Sequence, residues 1–264
     1  MVRYVAWLTQ ALFIVSLLSG LIVAFAYYPS LAYDSVQKLN YIIPFGSFFR
    51  QLHYFSSEAF LVSIFLHIVL EISKNGIKIS FNSWVYSILA LLLALLLMFT
   101  GFVLKADQSA NAAAQVAFSL IKDTPLLDNF LAFFKDNTVF YWKFFIWHAI
   151  FLPLIIIYAL FKHVKKLSVS IGYFTIALGI SLFLSLFLHM PRDIALEEKA
   201  LHVKGPWFFW GAENLLQIGL NAVSVNLLLL LPFVLLLSLY RQSSAKIIKI
   251  LLLIWAFIYA YFSI

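Results

Sequence analysis

Long apolar runs alternate with short polar stretches along this chain. Seven of the runs, residues 5–27, 52–72, 84–104, 141–161, 170–190, 224–240 and 246–263, approach the roughly 20 residues a helix needs to cross a hydrocarbon core. The last two are short, with poorly marked ends. An open sheet would leave its backbone unpaired in lipid, so the pattern predicts helices. The expected fold is all-α: a polytopic transmembrane helix bundle of about seven spans. Three connections are long (28–51, 105–140 and 191–223) and the others are short. Within them LAYDSVQKLNYI, ANAAAQVAFSLIKD and ENLLQIGLNAV mix apolar and polar residues at helical spacing. Each is expected either to lie as a helix in the membrane interface or to pack on the protein surface.

Composition agrees. Of 264 residues, 64% are hydrophobic and 11% charged, outside the range of soluble globular domains. Residues 5–27 are too long for the apolar region of a leader and end in YYPS, without a small-x-small cleavage site, so they are read as the first span. Cysteine is absent, which excludes disulfides, thiolate metal sites, Cys-held iron–sulfur clusters and c-type haem attachment on this chain.

The net charge of +7 raises the question of a polyanionic partner. Its distribution answers it. With the amino terminus inside, the inner face holds Arg3, Lys74, Lys78, Lys162, Lys165, Lys166, Arg241, Lys246 and Lys249 against one acid, Glu71. The other nine Lys and Arg share the outer face with ten acids. This is the positive-inside bias. It predicts a multi-pass protein of the cytoplasmic (inner) membrane with a cytoplasmic amino terminus, and it accounts for the basic pI without nucleic acid.

Ionisable groups at membrane depth are costly and mark function. Of six histidines, four fall in spans two and four: His53 and His67, then His148 and His163. Fourteen residues of helix return a side chain to within roughly 40° of one face and rise about 21 Å; fifteen give roughly 60°. Each helix thus carries one histidine near each membrane surface. Spans two and four run in the same direction. If they are neighbours, His53 meets His148 and His67 meets His163. Two stacked bis-histidine sites suit two haem irons with both axial positions filled, which carry electrons rather than bind oxygen. The alternative is four separate histidines hydrogen-bonded into a bundle. Zinc or a di-metal site is disfavoured, because no carboxylate or further histidine lies one turn from any of the four.

These residues sit in recognisable contexts. FGSFFRQLH holds Gly46, Arg50 and His53; span three ends in TGFVLKADQ; span four contains HAIFLP before His163. The chain resembles cytochrome b of the bc-type quinol oxidoreductases, especially the chloroplast-type and bacterial branch with its 15-residue step in span four. The resemblance implies a di-haem four-helix domain over 1–167 and a C-terminal three-helix domain over 168–264 carrying the outer quinone-site loop. It implies two non-covalent haem b groups, the outer ligated by His53 and His148 and the inner by His67 and His163. Arg50 would pair with a haem propionate, a role that its need for an anion at that depth also suggests; snorkelling to the interface is the alternative. Gly20, Gly46 and Gly101 would let porphyrin approach the backbone. Quinone or quinol would be the substrate, with Trp207, Phe208 and Phe209 lining its outer pocket. Membrane lipid, an iron–sulfur protein, a c-type cytochrome or both, and a second copy of the complex would be partners.

The sequence also departs from the family. Lys105-Ala106 replaces Pro-Trp after span three, and HVKGPWFFWGAENLLQ replaces a loop that normally carries Pro-Glu-Trp-Tyr. Its glutamate, which helps take protons from quinol, is missing. Glu213 is the favoured substitute, with Asp107 and Glu58 as further candidates; each has an ordinary interfacial or helix-contact role as its alternative. His189 and His202 flank the outer loop, where they either bind a quinone, a partner or a further haem, or serve as interfacial histidines. The alternative function is a haem b membrane anchor that passes electrons between an outer-face dehydrogenase or reductase and the quinone pool. A transporter or channel is disfavoured, since no pair of broken helices is evident.

Overall fold

The computed structural model describes residues 2–73, 77, 79–122, 133–134, 139–164, 169–198, 203–240 and 245–264. Ten α-helices and no strands occur among the described residues. They are α1 (Val2–Phe25), α2 (Ala32–Tyr41), α3 (Gly46–Ile72), α4 (Phe81–Val103) and α5 (Gln108–Lys122). α6 (Phe140–Val164), α7 (Ile171–Phe187), α8 (Trp210–Gln217), α9 (Ala222–Leu239) and α10 (Ala245–Phe262) follow. Five of them, α1, α3, α4, α6 and α9, are long and apolar enough to cross a membrane. Helix α7 has 17 residues, and α10 opens with Lys246 and Lys249. Many large apolar side chains face outward, among them Leu227, Leu253 and Phe257. That is expected where lipid is the solvent.

The chain forms two compact units. Residues 1–98 and 145–192 make the first, and residues 99–144 and 193–264 the second. In the first, α1 and α3 pack along each other, and α7 packs against both. The α1–α3 seam combines small polar side chains with aromatic packing. Thr9 Oγ1 and Ser63 Oγ lie 2.6 Å apart, as do Ser16 Oγ and Ser57 Oγ, while the Phe13 and Phe60 rings sit 5.2 Å apart. Small residues admit close backbones, and their hydroxyls find partners across the seam, which drives association where no hydrophobic effect separates helix from lipid. At the corner between α2 and α3, Phe45 takes a left-handed conformation (φ 59°). Gly46 follows with its α-carbon hard against the Leu39 carbonyl, where any Cβ would collide.

Helix α6 contains one π turn, Trp147–Phe151, closed by Leu152 N–H donating to the Trp147 carbonyl. Pro153 follows immediately. It has no N–H to donate and its ring crowds the carbonyl four residues back, so the helix widens by one residue there. This changes the helical arithmetic. The 15-residue step from His148 to His163, read as regular helix, puts the pair roughly 60° apart; absorbing one residue makes the step equivalent to 14, roughly 40° on the other side. The π turn, which includes His148, thereby brings the step of span four toward that of span two.

In the second unit a small core joins Leu120 of α5, Ala212 and Leu215 of α8 and Val225 of α9. Two asparagines tie helices together: Asn226 Nδ2 donates to the Leu120 carbonyl (2.6 Å) and Asn214 Nδ2 to the Phe262 carbonyl (2.8 Å). Two of the expected connecting helices form at 32–41 and 108–122. ENLLQIGLNAV is not one helix. α8 ends at Gln217, Gly219 turns the chain at φ 94°, and Asn221 caps α9 by accepting the Ser224 N–H at 2.8 Å. Glycine just past a helix end and asparagine just before the next are the expected stop and start signals.

Candidate functional site

Helices α3 and α6 bring the four span histidines together as two pairs, all within the first compact unit. The His53 and His148 ring centroids are 6.1 Å apart with planes at 81°; those of His67 and His163 are 6.4 Å apart at 75°. A metal–imidazole bond is about 2.0–2.1 Å and each ring centre lies about 1.1 Å beyond its nitrogen, so one metal between two imidazoles separates the centroids by about 6.2–6.4 Å. The His67–His163 pair lies in that range and the His53–His148 pair within about 0.1 Å of it.

The hydrogen bonds set the tautomer. His53 Nδ1 lies 2.9 Å from the Ser16 carbonyl, His148 Nδ1 3.1 Å from the Leu97 carbonyl and His163 Nδ1 2.9 Å from the Ser83 carbonyl. A carbonyl only accepts, so Nδ1 carries the proton in each. Nε2 keeps its lone pair for a metal, and the backbone bond orients the ring. Among the described residues no group of three His, Cys, Asp or Glu converges on one point. Two imidazoles alone do not complete a zinc shell; they do complete the axial positions of a metal whose other four ligands come from a macrocycle.

The glycines divide by function. A Cβ on Gly20 would stand 2.7 Å from His53 Cε1 and 3.0 Å from its Nδ1, so this glycine makes room for the His53 ring. Gly46 serves the α2–α3 corner, and Gly101 lies half-buried in α4. Arg50, one turn before His53, donates from Nη1 to Asn40 Oδ1 at 2.8 Å.

The Lys-Gly-Pro-Trp loop lies in the second unit. Gly205 N–H is shared by both carboxylate oxygens of Glu213, at 3.0 and 3.1 Å, and Trp210 Nε1 donates to the Gly205 carbonyl at 2.6 Å. The Lys-Gly-Pro-Trp turn is therefore pinned from both sides of Gly205. Glu213 is 7% exposed. Loss of hydration raises its pKa above the ordinary carboxylate value, and the Gly205 amide and the Lys204 charge pull it part of the way back. Trp207, Phe208 and Phe209 form a 3₁₀ turn, with Trp207 exposed and the other two half-buried. Tyr259 of α10 donates to the Phe208 carbonyl at 2.8 Å, and its ring rests on Gly211.

Asp107 is fully buried and fully engaged. It accepts from Ser109 Oγ (2.7 Å), Ala110 N (2.8 Å) and Ile194 N (3.1 Å), and pairs with Lys105 Nζ at 3.0 Å. It caps α5 and ties this corner to the segment after α7. These four partners take up most of its acceptor capacity. Glu58 sits half-buried on α3, and His189 is exposed in the extended segment after α7, apart from both pairs. His202 lies outside the described residues, as do Lys74, Lys78, Lys165, Lys166 and Arg241, on which part of the orientation argument rests. Ser16 and Ser19 belong to no motif; Pro153, inside an apolar run, is the neighbour of these sites that the sequence makes visible.

The cytochrome b/b6/petB family model matches residues 3–171. Cytochrome b6 of Heliomicrobium gestii is 28% identical over 164 residues, covering 59% of this chain and 77% of that protein. The menaquinol:cytochrome c reductase cytochrome b subunit of Bacillus subtilis is 28% identical over 123 residues, 46% of this chain and 55% of that one. A chain of a hyperthermophilic respiratory Complex III superposes over all of this chain and 89% of its own, with a TM-score of 0.64 at 18% identity, a likeness of fold. With the family model spanning well over half of its length, from the first span through both histidine pairs, the chain belongs to the cytochrome b/b6/petB family.

Proposed function

We propose that this chain is the membrane di-haem cytochrome b subunit of a bc-type quinol:cytochrome c complex, moving electrons between quinone sites at the two membrane faces. The observation that carries the reading is the pair of histidine couples at 6.1 and 6.4 Å. Haem b, when bound, would supply a one-electron carrier. The protein's part is to hold and tune it. His53 with His148 would hold the outer group and His67 with His163 the inner one. Arg50, which donates to Asn40, would pair with a propionate, the anion that an arginine one turn from His53 suits. Residues 1–167 are assigned the haem-binding role and residues 168–264 the outer quinone loop.

Trp207, Phe208 and Phe209 offer an apolar aromatic wall suited to a quinone ring. Glu213 is the proposed proton acceptor. Its burial, and a pKa raised by lost hydration, suit a base that works nearer neutral pH. The Gly205 amide occupies part of its acceptor capacity and leaves the rest for a quinol hydroxyl. The names of the relatives, one a menaquinol:cytochrome c reductase subunit, support quinol as donor and a partner that reduces cytochrome c. An iron–sulfur protein, a c-type cytochrome and a dimeric complex in the cytoplasmic membrane, amino terminus inside, complete the proposal.

Haem content tests it. His67→Ala or His163→Ala should remove the inner haem and leave the outer; His53→Ala or His148→Ala should do the reverse, read from haem counts and split spectral bands. Joint loss of one haem by His67→Ala and His148→Ala would overturn the pairing. The Lys-Gly-Pro-Trp turn, which lacks the family glutamate, favours a second reading: a haem b anchor exchanging electrons between an outer-face enzyme and the quinone pool. Quinol reducing the inner haem alone would select it.

A further inference from the structure

We infer that Ser19 is a tuning and positioning residue for His53, acting through a backbone carbonyl that both side chains share; this rests on the reading of His53 as an axial haem ligand. The Ser16 carbonyl accepts from His53 Nδ1 at 2.9 Å and from Ser19 Oγ at 3.0 Å. Ser16 lies inside α1, so regular helical pairing also directs the Gly20 N–H to the same oxygen. A carbonyl oxygen has two lone pairs. Three donors on one such acceptor each receive less than a sole donor would.

The site is built for this convergence. Gly20 has no Cβ, which lets the imidazole come close enough to reach Ser16. Ser19 is 2% exposed, and its hydroxyl divides between the Val15 carbonyl at 2.8 Å and the Ser16 carbonyl. Its oxygen is 3.5 Å from His53 Nδ1, at the outer limit for a hydrogen bond, so its main route to the histidine is through the shared acceptor. One turn further along the same face of the ring's own helix, Ser56 Oγ and Ser57 Oγ both donate to the His53 carbonyl, at 3.1 and 2.7 Å, and fix the backbone from which the ring extends.

The electronic consequence has a sign. A stronger Nδ1–H bond makes an imidazole a more basic axial ligand, and a more basic ligand favours the oxidised iron. By drawing on the Ser16 carbonyl, Ser19 weakens that bond and favours the reduced form. Through the hydrogen bond of His53, Ser19 would thereby raise the outer potential. Ser19→Ala returns the carbonyl to His53 and lowers it.

The test is an optical redox titration of the assembled, haem-loaded protein, following the two b bands separately. In Ser19→Ala the reduction constant of the outer haem should fall about threefold, about 28 mV at about 59 mV per tenfold for one electron, with the inner haem unchanged. Ser19→Thr keeps the hydroxyl and should restore the value. An outer haem retained at unchanged potential in Ser19→Ala overturns the inference. So does an equal shift of both haems, and so does loss of the outer haem, which would make Ser19 a packing residue. His53→Ala is run in parallel: if it keeps both haems, the ligation reading itself fails, a result separate from any behaviour of Ser19.

Discussion

Gly20→Ala isolates the contact on which the outer histidine pair depends. The added methyl carbon would lie 2.7 Å from His53 Cε1, 3.0 Å from Nδ1 and 3.4 Å from Nε2. Comfortable carbon–carbon contact begins at about 3.5 Å, so the ring must retreat by about 0.8 Å. It has little freedom to do so. Nδ1 is held at 2.9 Å by the Ser16 carbonyl, and a retreat of that size takes the bond past the range of a hydrogen bond. The partner ring His148 is oriented by the Leu97 carbonyl and does not follow. The separation of 6.1 Å that admits one metal between the rings is lost or skewed. Loss of an outer-shell partner typically costs about 10- to 100-fold in metal affinity, and displacement of the ligand adds to that. Haem occupancy should be measured by pyridine haemochrome together with the split b-band spectrum. The expected result is depletion of the outer haem with the inner haem, held by His67 and His163, at full occupancy. A Gly20→Ala protein with both haems and unshifted bands would refute the reasoning.

Glu213→Gln should slow quinol-driven reduction of the outer haem by about 10- to 100-fold, toward the lower end of acid–base contributions, with quinone binding little changed. Because lost hydration raises the Glu213 pKa, the wild-type rate should climb with pH through a point above the ordinary 4.5 as the carboxylate becomes free to accept a proton, and the glutamine variant should lack that limb. An unchanged rate in stopped-flow reduction would clear Glu213 of the role. Reporter fusions after Lys78, Lys166 and Arg241 should read as cytoplasmic and those near Asn129 and Glu198 as the opposite side; the reverse pattern would exchange the inner and outer labels of the two pairs.

The helices were legible because each is written in its own residues. Apolar runs too long for a soluble core predict spans wherever lipid is the solvent, and helices appear in all seven places. The four histidines were legible for the same local reason: a 14-residue step on one helix returns to one face whatever surrounds it. What surrounds it was not legible. The 15-residue step on span four points to a wider angle, and the π turn beside Pro153 changes that answer. ENLLQIGLNAV looked like one amphipathic segment, but Gly219 and Asn221 end one helix and begin another there. Glu213 was picked out as a stray acid near a missing one; only the fold lays its carboxylate on the amide of Gly205, eight residues earlier. Tertiary packing sets Gly20 against an imidazole 33 residues away in the chain, a neighbour its own sequence context does not name. Periodicity and burial preference act between neighbours along the chain, so sequence alone determined which segments are helical and which faces carry histidine. Contacts such as Ser16 with His53, Leu97 with His148 and Ser83 with His163 join residues 37, 51 and 80 positions apart. No local propensity specifies them. They exist only once the helices have packed, and that packing turns four histidines into two metal-sized gaps.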